Sequence, residues 1–137
     1  MEKISNYIGG KLLEPVSKKY IDNVNPAEGK VYSLIPDSDA QDVQLAVDAA
    51  KKAFHSWSTM PANKRSDFLI KIAELIDRDL TKLALAESVD QGKPVKLATV
   101  VDIPRASANL RFYATASLHF SSEAHFTGHE AINYTQY

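Results

Sequence analysis

The sequence contains no cysteine among its 137 residues. Disulfide staples, thiolate metal ligands and a thiolate nucleophile are therefore excluded within it. An excess of one charge is also lacking, since sixteen basic and seventeen acidic residues leave a net charge of −1. That balance gives no electrostatic basis for a nucleic-acid partner or an anionic membrane. No apolar run approaches the ~20 residues needed to span a bilayer. Residues 1–6 have no apolar h-region, so a secretory signal is not expected and a cytoplasmic location is. Glycine is sparse, with five in all, and neither Gly-x-Gly-x-x-Gly nor a Walker pattern occurs. Both usual phosphate cradles are missing.

What is present suits an ordinary globular domain, 45% hydrophobic and 24% charged. The first 36 residues read as β structure. Asn6-Tyr7-Ile8 and Lys11-Leu12-Leu13 flank Gly9-Gly10, a two-residue hairpin signal. A strand is expected over 20–24, then a turn at Asn25-Pro26-Ala27-Glu28-Gly29, then a strand over 30–35 ended by Pro36. Residues 37–120 read as helices. Ser38 with Gln41 fits a capping box, and Val43, Ala46, Val47, Ala50, Phe54 and Trp57 share one helical face.

A second helix carries Leu69, Ile72, Ala73 and Ile76, widened by Phe68 and Leu75. A third holds Leu80, Leu83 and Ala84 and stops at Gly92-Lys93-Pro94. The fourth is expected over 95–119 with Leu97, Val101, Pro104, Ala108 and Phe112 near one face. Pro104 should bend or divide it. Residues 121–129 read as a polar loop, and 131–137 as a final strand without a partner. The fold class expected is α+β: an N-terminal hairpin region, four helices and a C-terminal strand. An unpaired strand is an exposed template, so the expectation is part of a larger protein.

Generic chemistry is scarce. His125 and His129 lie four apart, but a zinc site needs at least one more protein ligand and no matching signature exists. Ser121 and Ser122 lie near His119 without the geometry a triad demands. On the residues alone these are surface side chains. Asp90 is likewise a solvated carboxylate near a helix end, and Arg105 a surface arginine pairing with Asp102 at i,i+3.

One set of strings says more. Glu87-Ser88-Val89-Asp90-Gln91-Gly92-Lys93-Pro94 is followed by Val101-Asp102-Ile103-Pro104-Arg105. Together with Val24-Asn25-Pro26-Ala27-Glu28-Gly29 and Ala53-Phe54 to Trp57, these resemble the aldehyde dehydrogenase superfamily. Asp102-Ile103-Pro104-Arg105 and Ala116-Ser117-Leu118-His119 are similar to its muconic-semialdehyde dehydrogenase branch. The resemblance covers essentially the whole chain but about the first quarter of a complete member.

The resemblance implies an enzyme in which a cysteine thiolate attacks the aldehyde, hydride passes to NAD(P), and the thioester is hydrolysed. The thiolate, the base and most of the cofactor pocket would lie outside these residues, so this chain alone is expected to be inactive and not to bind NAD. The implied roles within it are few. Asn23, the carbonyl of Val24 and the carboxylate of Asp90 match a monovalent-cation site for Na⁺ or K⁺. Arg105 matches a position that pairs with a substrate carboxylate, and Val101 would line the same tunnel. The terminal strand matches part of an oligomerisation sheet. Self-association through it or through exposed helix faces is expected. A non-catalytic helical module that binds a partner through apolar stripes is the alternative reading.

Overall fold

Two adjacent glycines with positive φ allow the chain its first reversal. In the computed structural model, which describes residues 1–135, Gly9 and Gly10 have φ of 59° and 80°. Two positive values in succession make the tight turn that suits strand twist. They join β2 (Asn6–Ile8) to β3 (Lys11–Leu13), an antiparallel pair in the expected register with Ile8 opposite Lys11.

A second sheet has the order β1-β5-β4, formed by β1 (Glu2–Lys3), β4 (Tyr20–Asn25) and β5 (Lys30–Pro36). β4 and β5 are antiparallel, whereas β1 runs parallel to β5. The turn between β4 and β5 is closed by Asn25, whose carbonyl accepts from Gly29 at 2.8 Å and whose side chain accepts from Ala27 at 3.0 Å. The register slips at Asn23/Val24: Asn23 faces Ser33 and Val24 faces Val31. Tyr32 is the extra residue of a β-bulge, so two residues of β5 meet one of β4.

Helix α1 (Ala40–Ser58) begins one residue later than the Ser38 capping box requires. Asp39 is the N-cap, accepting from Gln41 N–H at 2.8 Å, while Asp42 accepts from Asp39 N–H at 3.1 Å. Aspartate and serine cap about equally well, but Asp39 and Asp42 also place negative charge at the positive end of the helix dipole. Ser38 instead accepts from the Asn6 amide. The apolar face of α1 is not covered among the described residues: Val43 is 60% and Phe54 66% exposed.

Helices α2 (Ala62–Arg78) and α3 (Leu80–Gln91) form where expected, and α2 packs along α5. The expected stripe of α2 is only partly covered among the described residues: Ala73 is buried, whereas Phe68, Ile72 and Leu75 are exposed. Among the described residues of the helices, the fully buried hydrophobic side chains are alanines: Ala73, Ala84, Ala98 and Ala114. Small side chains let these helix backbones approach closely, and Ser107 closes the contact by donating to the carbonyl of Ala73 at 3.4 Å. Arg111 pairs with Asp77 across the same seam at 2.6 Å.

The fourth helical run divides as Pro104 requires. It opens as α4 (Val95–Leu97), passes through a π-helical turn (Ala98–Asp102) and continues as α5 (Ile103–Ala116). Pro104 then sits in the first turn of α5, directly after the π-turn, and has no N–H to donate back to that turn. The π-turn also corrects the expected face. Ala98 and Ser107 are buried, whereas Leu97, Val101 and Phe112 are exposed. Nine residues of ordinary helix at ~100° each would set Ala98 and Ser107 half a turn apart. The wider turn takes up one residue of rotation and brings them nearer one side.

The stretch expected to be a polar loop contains a strand. β6 (Ala124–Thr127) pairs with β7 (Ala131–Tyr134) as an antiparallel hairpin. The final strand therefore has a partner, and Gln136 and Tyr137 lie outside the described residues. All eight strand residues are exposed, which is why no alternation marked the first of them.

Candidate functional site

The end of α3 is seated by a glycine. Gly92 caps the helix at φ 71°, its N–H donating to Ser88. A Cβ there would stand 3.0 Å from the Cβ of Pro26 and 3.1 Å from the backbone nitrogen of Ala27. Only glycine combines that left-handed backbone with so close an approach. The contact sets the last turn of α3 against the β4–β5 turn, and two polar clusters form around it.

The first cluster joins β4, β5 and α3. The bulge lets Tyr32 and Ser33, neighbours in sequence, both reach Asn23. The Asn23 amide donates to the Tyr32 hydroxyl at 2.8 Å, to Ser33 Oγ at 3.1 Å and to Asp90 Oδ1 at 3.3 Å. Tyr32 in turn donates to the same Asp90 oxygen at 2.7 Å. Gln91 donates to the other oxygen at 3.2 Å. Hydrogen bonds from Tyr32, then Asn23, hold the Asp90 carboxyl below the usual carboxylate range, against a smaller opposing effect of burial. The Tyr32 phenol moves the other way, upward, chiefly because ionising it would lose the hydrogen bond it donates to Asp90, with burial and the charge of Asp90 adding to the effect. Every partner of Asp90 among the described residues is neutral, so its charge is not balanced by a cationic side chain.

The expected pair Asn23 and Asp90 is thus brought together, and Val24 follows Asn23 at the bulge, 43% exposed. An open groove of about 620 Å³ runs alongside, lined by Ile4, Tyr32, Leu83, Val89, Asp90 and Ile103 among others. Neither Arg105 nor Val101 lines it.

The second cluster joins the α3–α4 corner to the π-turn. Lys93 donates to Glu87 at 2.8 Å and to Asp102 at 2.9 Å, all three side chains being about one-third exposed or less. These hydrogen bonds, Glu87 first, raise the Lys93 pKa. Ser88 donates to the Lys93 carbonyl at 2.6 Å and steadies the same corner. Asp102 is therefore engaged by Lys93 and does not form the i,i+3 pair with Arg105 that the residues alone suggested. Arg105 is exposed and has no carboxylate partner among the described residues. Val101, 42% exposed, lies one turn before it across the π–α junction.

Tyr32, Ser33, Glu87 and Lys93 were not singled out as site residues from sequence. Glu87 and Lys93 lie in the string that carries the family resemblance, and Lys93 also in the expected helix stop at Gly92-Lys93-Pro94. No group of three or more His, Asp or Glu side chains among the described residues could hold a metal ion, so His125 and His129 remain hairpin residues. No described helix is long and apolar enough to cross a membrane.

A sequence model described as the aldehyde dehydrogenase family matches residues 13–137. The chain belongs to the aldehyde dehydrogenase family. The 2-aminomuconic semialdehyde dehydrogenase of Bos taurus is 45% identical over 120 residues, covering 88% of this chain and 24% of that protein. The Danio rerio protein of the same description is 45% identical over 133 residues, covering 96% and 27%. Among solved structures, the NAD⁺ complex of an aldehyde dehydrogenase from Bacillus cereus superposes with a TM-score of 0.93 at 30% identity. That match covers 98% of this chain and 28% of the other. The chain thus spans about a quarter of the length of the aldehyde dehydrogenases it matches. The α+β architecture is that of the N-terminal part of this family.

Proposed function

We propose that this chain is the N-terminal segment of an NAD(P)-dependent aldehyde dehydrogenase that oxidises a carboxylated semialdehyde to the acid in the cytoplasm. The observation that carries the substrate class is the free guanidinium of Arg105, exposed while the carboxylate three residues away is held by Lys93. A guanidinium fork binds a carboxylate through two parallel N–H···O bonds. Val101, one turn before it and 42% exposed, would supply an apolar wall. The semialdehyde dehydrogenases at 45% identity support the same reading.

The attacking thiolate is supplied from outside this sequence, and the segment by itself is inactive toward aldehydes. Nor does it hold the dinucleotide. Its five glycines all have positive φ and occupy strand turns or a helix end, forming no phosphate cradle. NAD is preferred over NADP by analogy with the semialdehyde branch alone. The segment's own work is scaffold, cation ligand and substrate contact. Asp90 and the Val24 carbonyl, with Asn23 beside them, suit Na⁺ or K⁺, because these are hard oxygen donors and the carboxylate lacks a cationic partner. Self-association would use β7, whose outer edge has no partner strand among the described residues, or the uncovered face of α1.

The test is Arg105→Ala in the full-length dehydrogenase carrying this segment. Losing a hydrogen bond to a charged group costs about 1.5–3 kcal/mol, so kcat/KM for succinate semialdehyde should fall roughly 10- to 150-fold. For butanal it should change little. Equal losses on both aldehydes would remove the carboxylate role.

A further inference from the structure

We propose that Lys93 is a positioning residue for substrate specificity: by engaging Asp102, it keeps Arg105 free for the substrate carboxylate. The inference rests on the role of Arg105 given above.

The argument is one of competition. Asp102 and Arg105 are three residues apart, Asp102 closing the π-turn and Arg105 lying in the first turn of α5. On a helical surface that spacing invites an ion pair. It does not form. Lys93, on the connection between α3 and α4, is 2.9 Å from Asp102 Oδ2 and is itself anchored by Glu87 at 2.8 Å. Its anchor matters, because a lysine held at both carboxylates has given up most of its rotamer freedom and cannot be drawn off to solvent without losing both pairs. Gly92 and the Ser88–Lys93 hydrogen bond fix where that lysine starts. An internal carboxylate released beside Arg105 would compete with the substrate's own. It would also weaken the positive field that draws an anionic aldehyde in.

Kinetics of the full-length dehydrogenase carrying this segment test the idea, comparing succinate semialdehyde with butanal. Lys93→Met should lower the ratio of their kcat/KM values about two- to fivefold, the span of an exposed ion pair. The loss should appear in KM for the anionic aldehyde. Lys93→Arg should keep the ratio. Asp102→Asn should leave it unchanged in the native background and restore it in the Lys93→Met background. If Lys93→Met does not yield folded enzyme, Lys93→Gln takes its place with the same expectations. A ratio unchanged in the Lys93 variant, or one that Asp102→Asn fails to restore, overturns the proposal even where Arg105→Ala abolishes the preference. If Arg105→Ala itself leaves the ratio intact, the substrate reading falls first and this proposal with it.

Discussion

The corner where α3 meets the β4–β5 turn and the hairpin of β6 and β7 are built on different principles. At the corner, side chains distant in sequence hold one another: Asn23 and Asp90 bond across 67 residues, and Lys93 ties α3 to the π-turn. In the hairpin, bonds stay local. Asn133 donates to Thr127 at 2.6 Å, and Thr135 N–H reaches the Glu123 carbonyl at 3.0 Å. Phe126 is 77% and Tyr134 70% exposed. The corner is self-supporting, whereas an isolated two-stranded ribbon is marginal in water. A small segment can thus hold a polar corner tied across distant elements beside a ribbon whose side chains stay exposed.

Paired glycine substitutions should separate the two regions most widely. Gly92→Ala combines a left-handed backbone with a Cβ 3.0 Å from Pro26, and should cost about 3 kcal/mol. Gly128→Ala, at φ 59° with nothing within 4 Å of the new methyl, should cost about 1 kcal/mol. Urea denaturation midpoints check both, and equal losses would erase the contrast. Next, Tyr32→Phe removes the strongest donor to Asp90. The carboxyl pKa is lowered in the folded chain, so the stability it contributes is present above the unfolded carboxylate value of ~3.9 and is lost as pH falls through the folded one. The variant should move the Asp90 titration back up, as followed by NMR of the carboxyl carbon, and shrink the acid-dependent loss of stability, whose onset stays at the unfolded value. The smallest effect belongs to Asn133→Ala, which should cost about 0.5 kcal/mol. Hydrogen exchange should show it confined to β6 and β7, with α2 and α5 unmoved.

Local chemistry was legible and long-range register was not. Gly9-Gly10, the Asn25 to Gly29 turn and the Gly92 stop each declare themselves through a backbone requirement within a few residues. β1 is two residues long, too short for any period. β6 buries neither face, so no alternation betrays it. The Tyr32 bulge exists only in relation to β4, since β5 alone would send Tyr32 and Ser33 to opposite sides. The face of the fourth helical run was misread because one wide turn shifts its phase. At the site, the pairing of Asn23 with Asp90 followed from family resemblance, and the structure adds the Tyr32 relay between them. The Lys93–Asp102 pair could not be chosen over Asp102–Arg105 by spacing, because both are sterically open until the corner folds.

That separation along the chain also sets a timetable. During synthesis Asn23 leaves the ribosome 67 residues ahead of Asp90, an interval of about 3 to 13 seconds at ordinary elongation rates. Until α3 arrives, the amide of Asn23 and the phenol of Tyr32 have only water, Ser33 and each other. The bulged strand is therefore a socket prepared early in translation for a carboxylate delivered late.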